Sequence, residues 1–231
     1  MNWEIIRKRI VTSTQDVARD QPREGLVVVA ETQTKGRGRR GSEWASSEGG
    51  LYMTIVLRNM AQINLISLLA GVAVSEGIKK SLSLPTEVKW PNDVLLHGKK
   101  VAGVIAESTW ESGMKGWTFL GIGINANNEL PYHLPNATNL CTHTSSKVDQ
   151  EHLLHTLLES FKRLLHTLEK EPDRILDLWR ALASTIGRRV RIVEDHESFT
   201  GLAINVDQDG ALMVETEEGL RKVLSGSVLE L

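Results

Sequence analysis

Short apolar runs constrain the fold of this chain more than any other feature of its sequence. Residues 26–30 (LVVVA) and 51–57 (LYMTIVL) have the length and composition of buried strands. Further strands are predicted in three later segments, and His97-Gly98 turns a hairpin inside the second of them. These segments are TEVKW, DVLLHGKKVAGVIAES and WTFLGIGINAN, of which the first two are separated by Pro91-Asn92.

Helical spacing of apolar residues predicts three helices beside these strands. The first covers residues 63–78, where apolar positions recur with a helical period. Asp149 is placed to cap a second helix, and Pro172 to open a third that runs through Trp179 and ends at Gly187. The second helix carries one apolar stripe, made of Leu153, Leu157, Phe161, Leu164 and Leu168.

The pattern changes after Gly187, where short strands and tight turns replace the helical periodicity. The turns are predicted at Asp209-Gly210 and Glu218-Gly219. Closely spaced short strands are typical of a small barrel. We therefore predict two domains, residues 1–186 and residues 187–231.

Charge and cysteine content exclude several classes of protein. The formal net charge is -2, so no general nucleic-acid-binding surface is expected and any anion site must be local. The single cysteine, Cys141, permits no internal disulfide, which suits a reducing compartment. No apolar run reaches membrane-spanning length, and residues 2–10 (NWEIIRKRI) are too charged for a signal peptide. We expect a cytoplasmic protein with no membrane partner.

Positive charge is concentrated in residues 35–44 (KGRGRRGSEW), which hold four cations and three glycines. Glycine lets backbone N–H groups turn toward an anion, and arginine offers forked donors to phosphate or carboxylate oxygens. The segment lacks the Lys-Ser/Thr ending of a P-loop. We expect a loosely held loop that orders around a polyanion, and a solvated basic loop or a nucleic-acid docking patch is the alternative.

Three other segments could carry chemistry, and each has a structural alternative. Asp93 and Lys100 lie at the same end of the predicted hairpin, where they could flank a reacting centre or form a weak surface ion pair. The glycines of residues 121–127 (GIGINAN) indicate close approach of a ligand or tight sheet packing. Residues 13–16 (STQD) could contact a ligand or cap a helix. The histidines show no metal-ligand spacing, so no metal site is predicted from motifs.

Taken together, these segments resemble the biotin–protein ligases. The motifs STQD, ETQTKGRGRRGSEW, KWPNDVLL, GKKVAGVIAE and GIGINAN occur in the order and spacing of that family. The resemblance implies an α+β fold, a mixed sheet with flanking helices like that of class II aminoacyl-tRNA synthetases, followed by an SH3-like barrel. It also implies the reaction, in which biotin and Mg-ATP give biotinyl-5′-AMP and pyrophosphate, and biotin then passes to a lysine of a biotin carboxyl carrier protein.

The resemblance also implies roles for individual residues. The catalytic residues would be Arg37, Lys100 and Asp93, with Asp93 orienting the incoming lysine or accepting its proton. Mg²⁺ would arrive with ATP, near Asn125. The residues implied to contact biotin are Ser13, Thr14, Gln15, Gln33, Gly36, Arg37, Gly38, Arg39, Lys100 and Gly103. Those implied to contact ATP or the adenylate are Arg37, Arg39, Arg40, Trp44, Asn125 and Lys100, with Trp44 covering the adenine.

Two departures from the family pattern modify this expectation. Ser42-Glu43 stands where many members have a further basic residue, so we expect weaker retention of the adenylate. The few residues before STQD cannot encode a winged helix, so we expect no operator binding by such a domain. Separately, the family resemblance implies that a homodimer could form through sheet edges. The remaining alternatives are a lipoate or octanoate ligase on the same scaffold and a non-catalytic nucleic-acid-binding module.

Overall fold

A computed structural model of the chain describes residues 2–58, 60, 63–111, 114–194 and 197–231. It has four α-helices and two sheets, one of seven strands and one of five. No helix in these ranges is both long and apolar enough to cross a bilayer.

The larger sheet is mixed and has the strand order β1-β2-β3-β7-β6-β5-β4. Strands β1 and β2 are parallel, and every other neighbouring pair is antiparallel. The strands at the centre of the sheet are buried along most of their length, as their apolar runs predict. The strands are β1 (Glu4–Val11), β2 (Leu26–Gln33), β3 (Leu51–Arg58), β4 (Glu87–Lys89), β5 (Asp93–Leu96), β6 (Lys99–Glu111) and β7 (Met114–Ile124).

Strand β1 is not predicted from the sequence, where residues 2–10 are recognised only as too charged for a signal peptide. Its burial pattern is mostly exposed, so the apolar signal of a core strand is missing. It forms because its backbone pairs with β2 along seven residues, from Glu4 with Leu26 to Val11 with Gln33. An edge strand can rely on such pairing with little burial of its own side chains.

The helices pack mainly on one face of the larger sheet. Helix α2 (Ile63–Leu82) is buried along most of its length, and α3 (Gln150–Lys170) lies against it with its leucine stripe inward. Asp149 caps α3 as predicted, its Oδ1 accepting from the His152 N–H at 3.0 Å. Helix α1 (Thr14–Asp20) packs instead on β2 and β3.

Helix α4 (Pro172–Leu182) begins at the predicted proline but ends five residues before the predicted Gly187. The backbone of the intervening segment is used elsewhere, since the Ser184 N–H donates to the Val88 carbonyl at 2.9 Å. Gly187, with φ of 79°, turns the chain into the second sheet. The helix therefore stops early because the residues that follow it form hydrogen bonds with strand β4 instead.

The smaller sheet is antiparallel, with the order β11-β10-β9-β8-β12. Its buried side chains belong to the same apolar cluster as those of α2 and the larger sheet. The Trp90 indole crosses between the two, donating to the Gly210 carbonyl at 3.0 Å. A domain boundary after residue 186 stays a prediction. The strands are β8 (Arg189–Val193), β9 (Ser198–Val206), β10 (Leu212–Thr216), β11 (Gly219–Val223) and β12 (Ser227–Glu230).

Alanine substitutions at two glycines of α2 should change the stability of the protein in opposite directions. A Cβ at Gly77 would lie 3.1 Å from the Leu157 Cα of α3, whereas a Cβ at Gly71 would meet only Val88 at 3.6 Å. Replacing a helix-interior glycine with alanine stabilises by roughly 0.5–1 kcal/mol where space allows, and overpacking costs about 1–3 kcal/mol. We expect Gly71→Ala to raise the urea midpoint of unfolding and Gly77→Ala to lower it. Equal midpoint shifts in the two variants would contradict this packing.

Candidate active site

Glycines on β6 and β7 leave one patch of the larger sheet bare, and two side chains lie on it. A Cβ at Gly103 or Gly123 would come within 2.8 or 2.5 Å of the Trp44 indole. A Cβ at Gly121 would lie 3.1 Å from the Gln15 amide nitrogen. The alternating glycines therefore serve close approach across the sheet face.

The basic segment forms a turn that is held by its own backbone, and the expectation that it orders around a polyanion stays a prediction. Its backbone closes on itself, with the Gly38 N–H donating to the Ser42 carbonyl at 2.8 Å and the Trp44 N–H to the Gly36 carbonyl at 3.0 Å. A Cβ at Gly36 would lie 2.3 Å from the Trp44 carbonyl oxygen, so only glycine allows this crossing. Arg40 takes the left-handed conformation, with φ of 54°, at the tip.

The three arginines of the loop each reach a different partner. Arg37 forms an ion pair with Asp16 of α1. Arg39 donates to the Gly226 carbonyl at 3.1 Å, and Arg40 donates to the Val193 carbonyl at 2.8 Å, both in the smaller sheet. Burial lowers the pKa of the Arg39 guanidinium, and the nearby carboxylate of Asp93 opposes that shift. The loop thus bridges the two sheets.

Lys100 and Asp93 form an ion pair, with 2.7 Å between Nζ and Oδ1. A β-bulge makes this possible. Val94 pairs with Ala102 while Leu95 pairs with Lys100, so β6 has one extra residue at this point. Without the bulge, Lys100 would share a face with Ala102 and point away from Asp93. The Lys100 ammonium also lies 5.1 Å from the centroid of the Trp44 ring system.

The STQD segment both caps a helix and lines the site, so the two interpretations are compatible. Ser13 caps α1, its Oγ accepting from the Gln15 N–H at 3.3 Å. Gln33 accepts from the Thr14 N–H at 2.8 Å and donates to the Ser46 Oγ at 2.8 Å. The Gln15 amide is buried, and neither its oxygen nor its nitrogen has a hydrogen-bond partner among the residues that the structure describes. Such an amide is expected to meet a ligand or ordered water.

These elements enclose a cavity of about 490 Å³ between the bare sheet patch, α1, the basic loop and the smaller sheet. It brings together all but two of the predicted site residues. Gly36 lies in an outer cleft beside the loop, and Asn125 lines a neighbouring chamber. The predicted residues that line the cavity are Ser13, Thr14, Gln15, Gln33, Arg37, Gly38, Arg39, Arg40, Trp44, Asp93, Lys100 and Gly103.

A second chamber of about 790 Å³ adjoins the first. Trp44 and the Lys100–Asp93 pair line both chambers and stand at their junction. The Trp44 Nε1–H is buried and has no acceptor in the described part of the chain, so it is available to a ligand. Asn125 is largely occupied, because its Nδ2 donates to the Thr138 carbonyl at 3.2 Å and its Oδ1 accepts from Asn128 at 3.3 Å.

Sequence reasoning missed several residues of the first cavity. The KWPND motif predicts no role for Asn92. In the structure its Oδ1 accepts from a guanidinium nitrogen of Arg39 at 3.4 Å, and its Nδ2 donates to the Val104 carbonyl at 2.6 Å. The glycines at 121 and 123 carry the prediction of a close approach or tight packing, but they are not among the predicted site residues. Gly226, Ser227 and Val228, at the start of strand β12, also line the cavity. Nothing in the local sequence indicates that they do so.

Within the described ranges, no three His, Cys, Asp or Glu side chains converge as a set that could hold a metal ion. Cations and hydrogen-bond donors line the first cavity, and such an arrangement suits an anion. Arg37, Arg39 and Lys100 line one cavity with a buried neutral amide at its inner wall. Such a site suits a ligand that has a polar neutral end and an acidic end.

Comparison with known proteins agrees with the motifs. The sequence model of the Biotin/lipoate A/B protein ligase family matches residues 6–125, and that of the biotin protein ligase C-terminal domain matches residues 185–229. The chain is 34% identical to the bifunctional ligase/repressor BirA of Bacillus subtilis, over 99% of this chain and 74% of the relative. It is 30% identical to the biotin–[acetyl-CoA-carboxylase] ligase of Mycobacterium tuberculosis, over 90% of this chain and 80% of the relative.

A solved structure has the same architecture over nearly the whole length of both chains. The biotin protein ligase of Aquifex aeolicus, in complex with biotin and ATP, superposes with a TM-score of 0.88 at 31% identity and covers 98% of each chain. The sequence match, the superposition and the geometry of the site lead to one conclusion. The chain belongs to the Biotin/lipoate A/B protein ligase family, and within that family it is a biotin protein ligase.

Proposed function

We propose that this chain activates biotin with Mg-ATP to biotinyl-5′-AMP and transfers the biotinyl group to a lysine of a biotin carboxyl carrier protein. The observation that carries the proposal is the Lys100–Asp93 pair at the junction of two chambers. One chamber would hold biotin and the other would hold adenosine. Their reacting ends would then meet beside the lysine.

Biotin would enter the first cavity with its ureido ring toward α1. A ureido group has one strong acceptor and two N–H donors, and the unpartnered Gln15 amide offers both complements. The Ser13 hydroxyl can add a donor, because its oxygen already accepts from the Gln15 N–H. Gln33 is held by Thr14 and Ser46, which fixes its amide beside the same ring. These groups orient biotin so that its carboxylate faces the cations.

Adenylation requires two anions to approach each other. Two unit charges about 4 Å apart repel by about 4 kcal/mol at an effective dielectric near 20. Lys100, Arg37 and Arg39 line the cavity where they would meet, and they would offset this repulsion and stabilise charge on the α-phosphate. A biotin carboxylate oxygen attacks the α-phosphorus, the bond to the pyrophosphate oxygen breaks, and pyrophosphate leaves.

Arg37 would have to exchange partners during this step. In the structure its guanidinium is paired with Asp16, and a second acid, Glu107, lies 3.9 Å away. A ligand carboxylate or phosphate can replace Asp16 as the acceptor, because the pair is partly exposed and such pairs are weak. The loop therefore needs no large rearrangement to supply this cation.

The second chamber would take the adenosine. The Trp44 indole forms its wall toward the first cavity, where an aromatic face can stack on the base. Mg²⁺ would arrive on the phosphates of ATP and supply further neutralisation of their charge. The Asn125 amide oxygen accepts from Asn128 at 3.3 Å, which leaves it a second lone pair, and oxygen is the ligand type that Mg²⁺ prefers.

Transfer of the biotinyl group to the carrier lysine would follow, and Lys100 and Asp93 would both take part. The amine of the incoming lysine attacks the carbonyl carbon of the mixed anhydride, and the bond to the AMP oxygen breaks. Asp93 lies at the chamber junction and can orient the amine and accept its proton. Lys100, paired with Asp93, holds that carboxylate in place and faces the departing phosphate.

The biological setting is proposed on the same basis. The carrier protein would be a subunit of acetyl-CoA carboxylase or of another biotin-dependent carboxylase, and the reaction would take place in the cytoplasm. A single cysteine supports a reducing compartment. Operator binding and a membrane partner are not part of the proposal, and a homodimer stays a prediction of the family resemblance.

The direct test is to incubate the protein with biotin and Mg-ATP and to examine the complex by native mass spectrometry. We expect a bound species with the mass of biotinyl-AMP and stoichiometric release of pyrophosphate. Replacing biotin with lipoate or octanoate should abolish both signals. Their persistence with those acids, or their absence with biotin, would refute the proposal.

Lys100→Ala should slow pyrophosphate release by about 10²–10³-fold, because a charge aimed at the developing phosphate charge is lost. Lys99→Ala is the matched control, since Lys99 is the neighbouring residue and its side chain is exposed. We expect the control to keep the rate of the unaltered protein. Wild-type pyrophosphate release from Lys100→Ala would show that this role is wrong.

Arg37→Ala should impair adenylate formation or retention more than fold stability. One charge-assisted hydrogen bond contributes about 1.5–3 kcal/mol, so we expect biotinyl-AMP to dissociate about 10–100-fold faster or form that much more slowly. The exposed ion pair with Asp16 contributes at most about 1 kcal/mol to stability. Thermal unfolding measured beside adenylate dissociation distinguishes the two effects, and Arg37→Lys is not a neutral control because it loses the fork of donors.

A further inference from the structure

Exposed apolar side chains border the second chamber on two sides. Leu134 is 40% exposed and Leu229 is 52% exposed, and both line the chamber. Tyr132, next to the lining residue His133, is 98% exposed, and its ring meets the His133 ring edge-on at 5.6 Å. The loop of residues 129–137 thus presents apolar surface opposite strand β12.

The loop is fixed beside the reacting pair by backbone hydrogen bonds. The Lys100 N–H donates to the Asn136 carbonyl at 2.8 Å, and the Thr138 N–H donates to the Lys100 carbonyl at 2.9 Å. The same residue that faces the phosphate therefore positions the loop that carries Tyr132 and Leu134. A partner bound on this loop would sit over the chamber that opens onto Asp93.

The opposite side of the chamber carries exposed arginines beside the apolar Leu229, and the acids that line it are Glu87 and Glu230, of which Glu230 lies 3.8 Å from the Lys89 ammonium. Leu229 is the register partner of Arg191 in the β12–β8 pair, so both side chains point to the same face of the sheet. Arg188 lines the chamber, and Arg189 and Arg191 are exposed on β8. None of these three arginines has an ion-pair partner among the residues that the structure describes.

We propose that this surface, formed by Tyr132, Leu134, Leu229 and the arginines at positions 188, 189 and 191, docks the biotin carboxyl carrier domain. The inference rests on the proposed function and adds to it the place where the protein substrate binds. The carrier that fits is acidic and has apolar side chains beside its acceptor lysine. Apolar contacts would hold the carrier on the chamber rim while the arginines attract it.

The position of the surface favours the carrier over a second copy of this chain. The acceptor amine must reach the anhydride at the chamber junction, and an extended lysine side chain can do so only from a domain docked at a chamber mouth. A symmetric pair of copies would place the same patch against itself. The unpaired arginines of the two copies would then face each other, and like charges across an interface are unfavourable.

The first experiment compares two exposed aromatic residues. Tyr132→Ser should raise the KM for the unbiotinylated carrier domain of an acetyl-CoA carboxylase about fivefold, and Tyr132→Phe should restore it because the ring is retained. Trp110→Ser is the matched control, since Trp110 is 68% exposed on the β6–β7 hairpin and lines none of the chambers described above. Pyrophosphate release with biotin and ATP, and biotinyl transfer to hydroxylamine, should be unchanged in all three variants.

The second experiment tests the charge. The double variant Arg189→Ser/Arg191→Ser should slow association with the carrier domain about tenfold at low ionic strength, and added salt should remove the difference. Lys8→Ser/Arg9→Ser changes the net charge equally on strand β1, away from the chamber, and should leave association unchanged. Both doubles should retain normal pyrophosphate release.

The outcomes separate this inference from the proposed function. If the unaltered protein forms no biotinyl-AMP, the proposed function fails. If biotinyl-AMP forms but the carrier KM is unchanged in Tyr132→Ser, or rises equally in Trp110→Ser, the docking surface is wrong. Concentration-dependent self-association abolished by Tyr132→Ser, with carrier KM unchanged, would assign the surface to a second copy and overturn the inference.

Discussion

The bare patch on the larger sheet is the constraint on which the site depends. Gly103, Gly121 and Gly123 have no side chains there, and a Cβ at any of them would meet Trp44 or Gln15 at 3.1 Å or less. An indole and an amide can therefore lie flat against strands β6 and β7. Trp44 divides the space above the patch into two chambers, and Gln15 forms the inner wall of the first. Larger residues at these positions would displace both side chains and remove the division.

The distribution of charge follows from a second requirement, that cations be concentrated without unfolding the loop that carries them. Each loop arginine is held by a different element, and Arg37 is held by a carboxylate that a ligand could replace. Lys100 comes from a strand and is paired with Asp93. Because the loop and strand β6 supply these cations from two parts of the chain, the cations can converge on one bound anion. Partial burial lowers the pKa of the Arg39 guanidinium, and the carboxylate of Asp93 opposes that shift.

The smaller sheet closes the site as well as adding to the core. Its carbonyl groups at Val193 and Gly226 accept hydrogen bonds from Arg40 and Arg39, so the position of the basic loop depends on it. Its apolar residues join the cluster formed by α2 and the larger sheet. The loop is therefore braced from both sides before any ligand binds. The same sheet supplies Leu229 and the exposed arginines to the surface that we assign to the carrier domain.

The sequence by itself determined the family, the main strands and helices, and most of the charged and polar side chains of the first cavity, because these rest on local patterns and on motifs of fixed spacing. Tertiary structure decided the rest. Strand β1 exists through pairing with β2, α4 ends at Leu182 because β4 takes its backbone, and the basic loop is ordered because distant carbonyl groups accept its donors. The bulge that turns Lys100 toward Asp93 cannot be predicted from alternation, since one extra residue reverses the face of every residue on that side. Contacts between segments far apart in sequence leave no local signal.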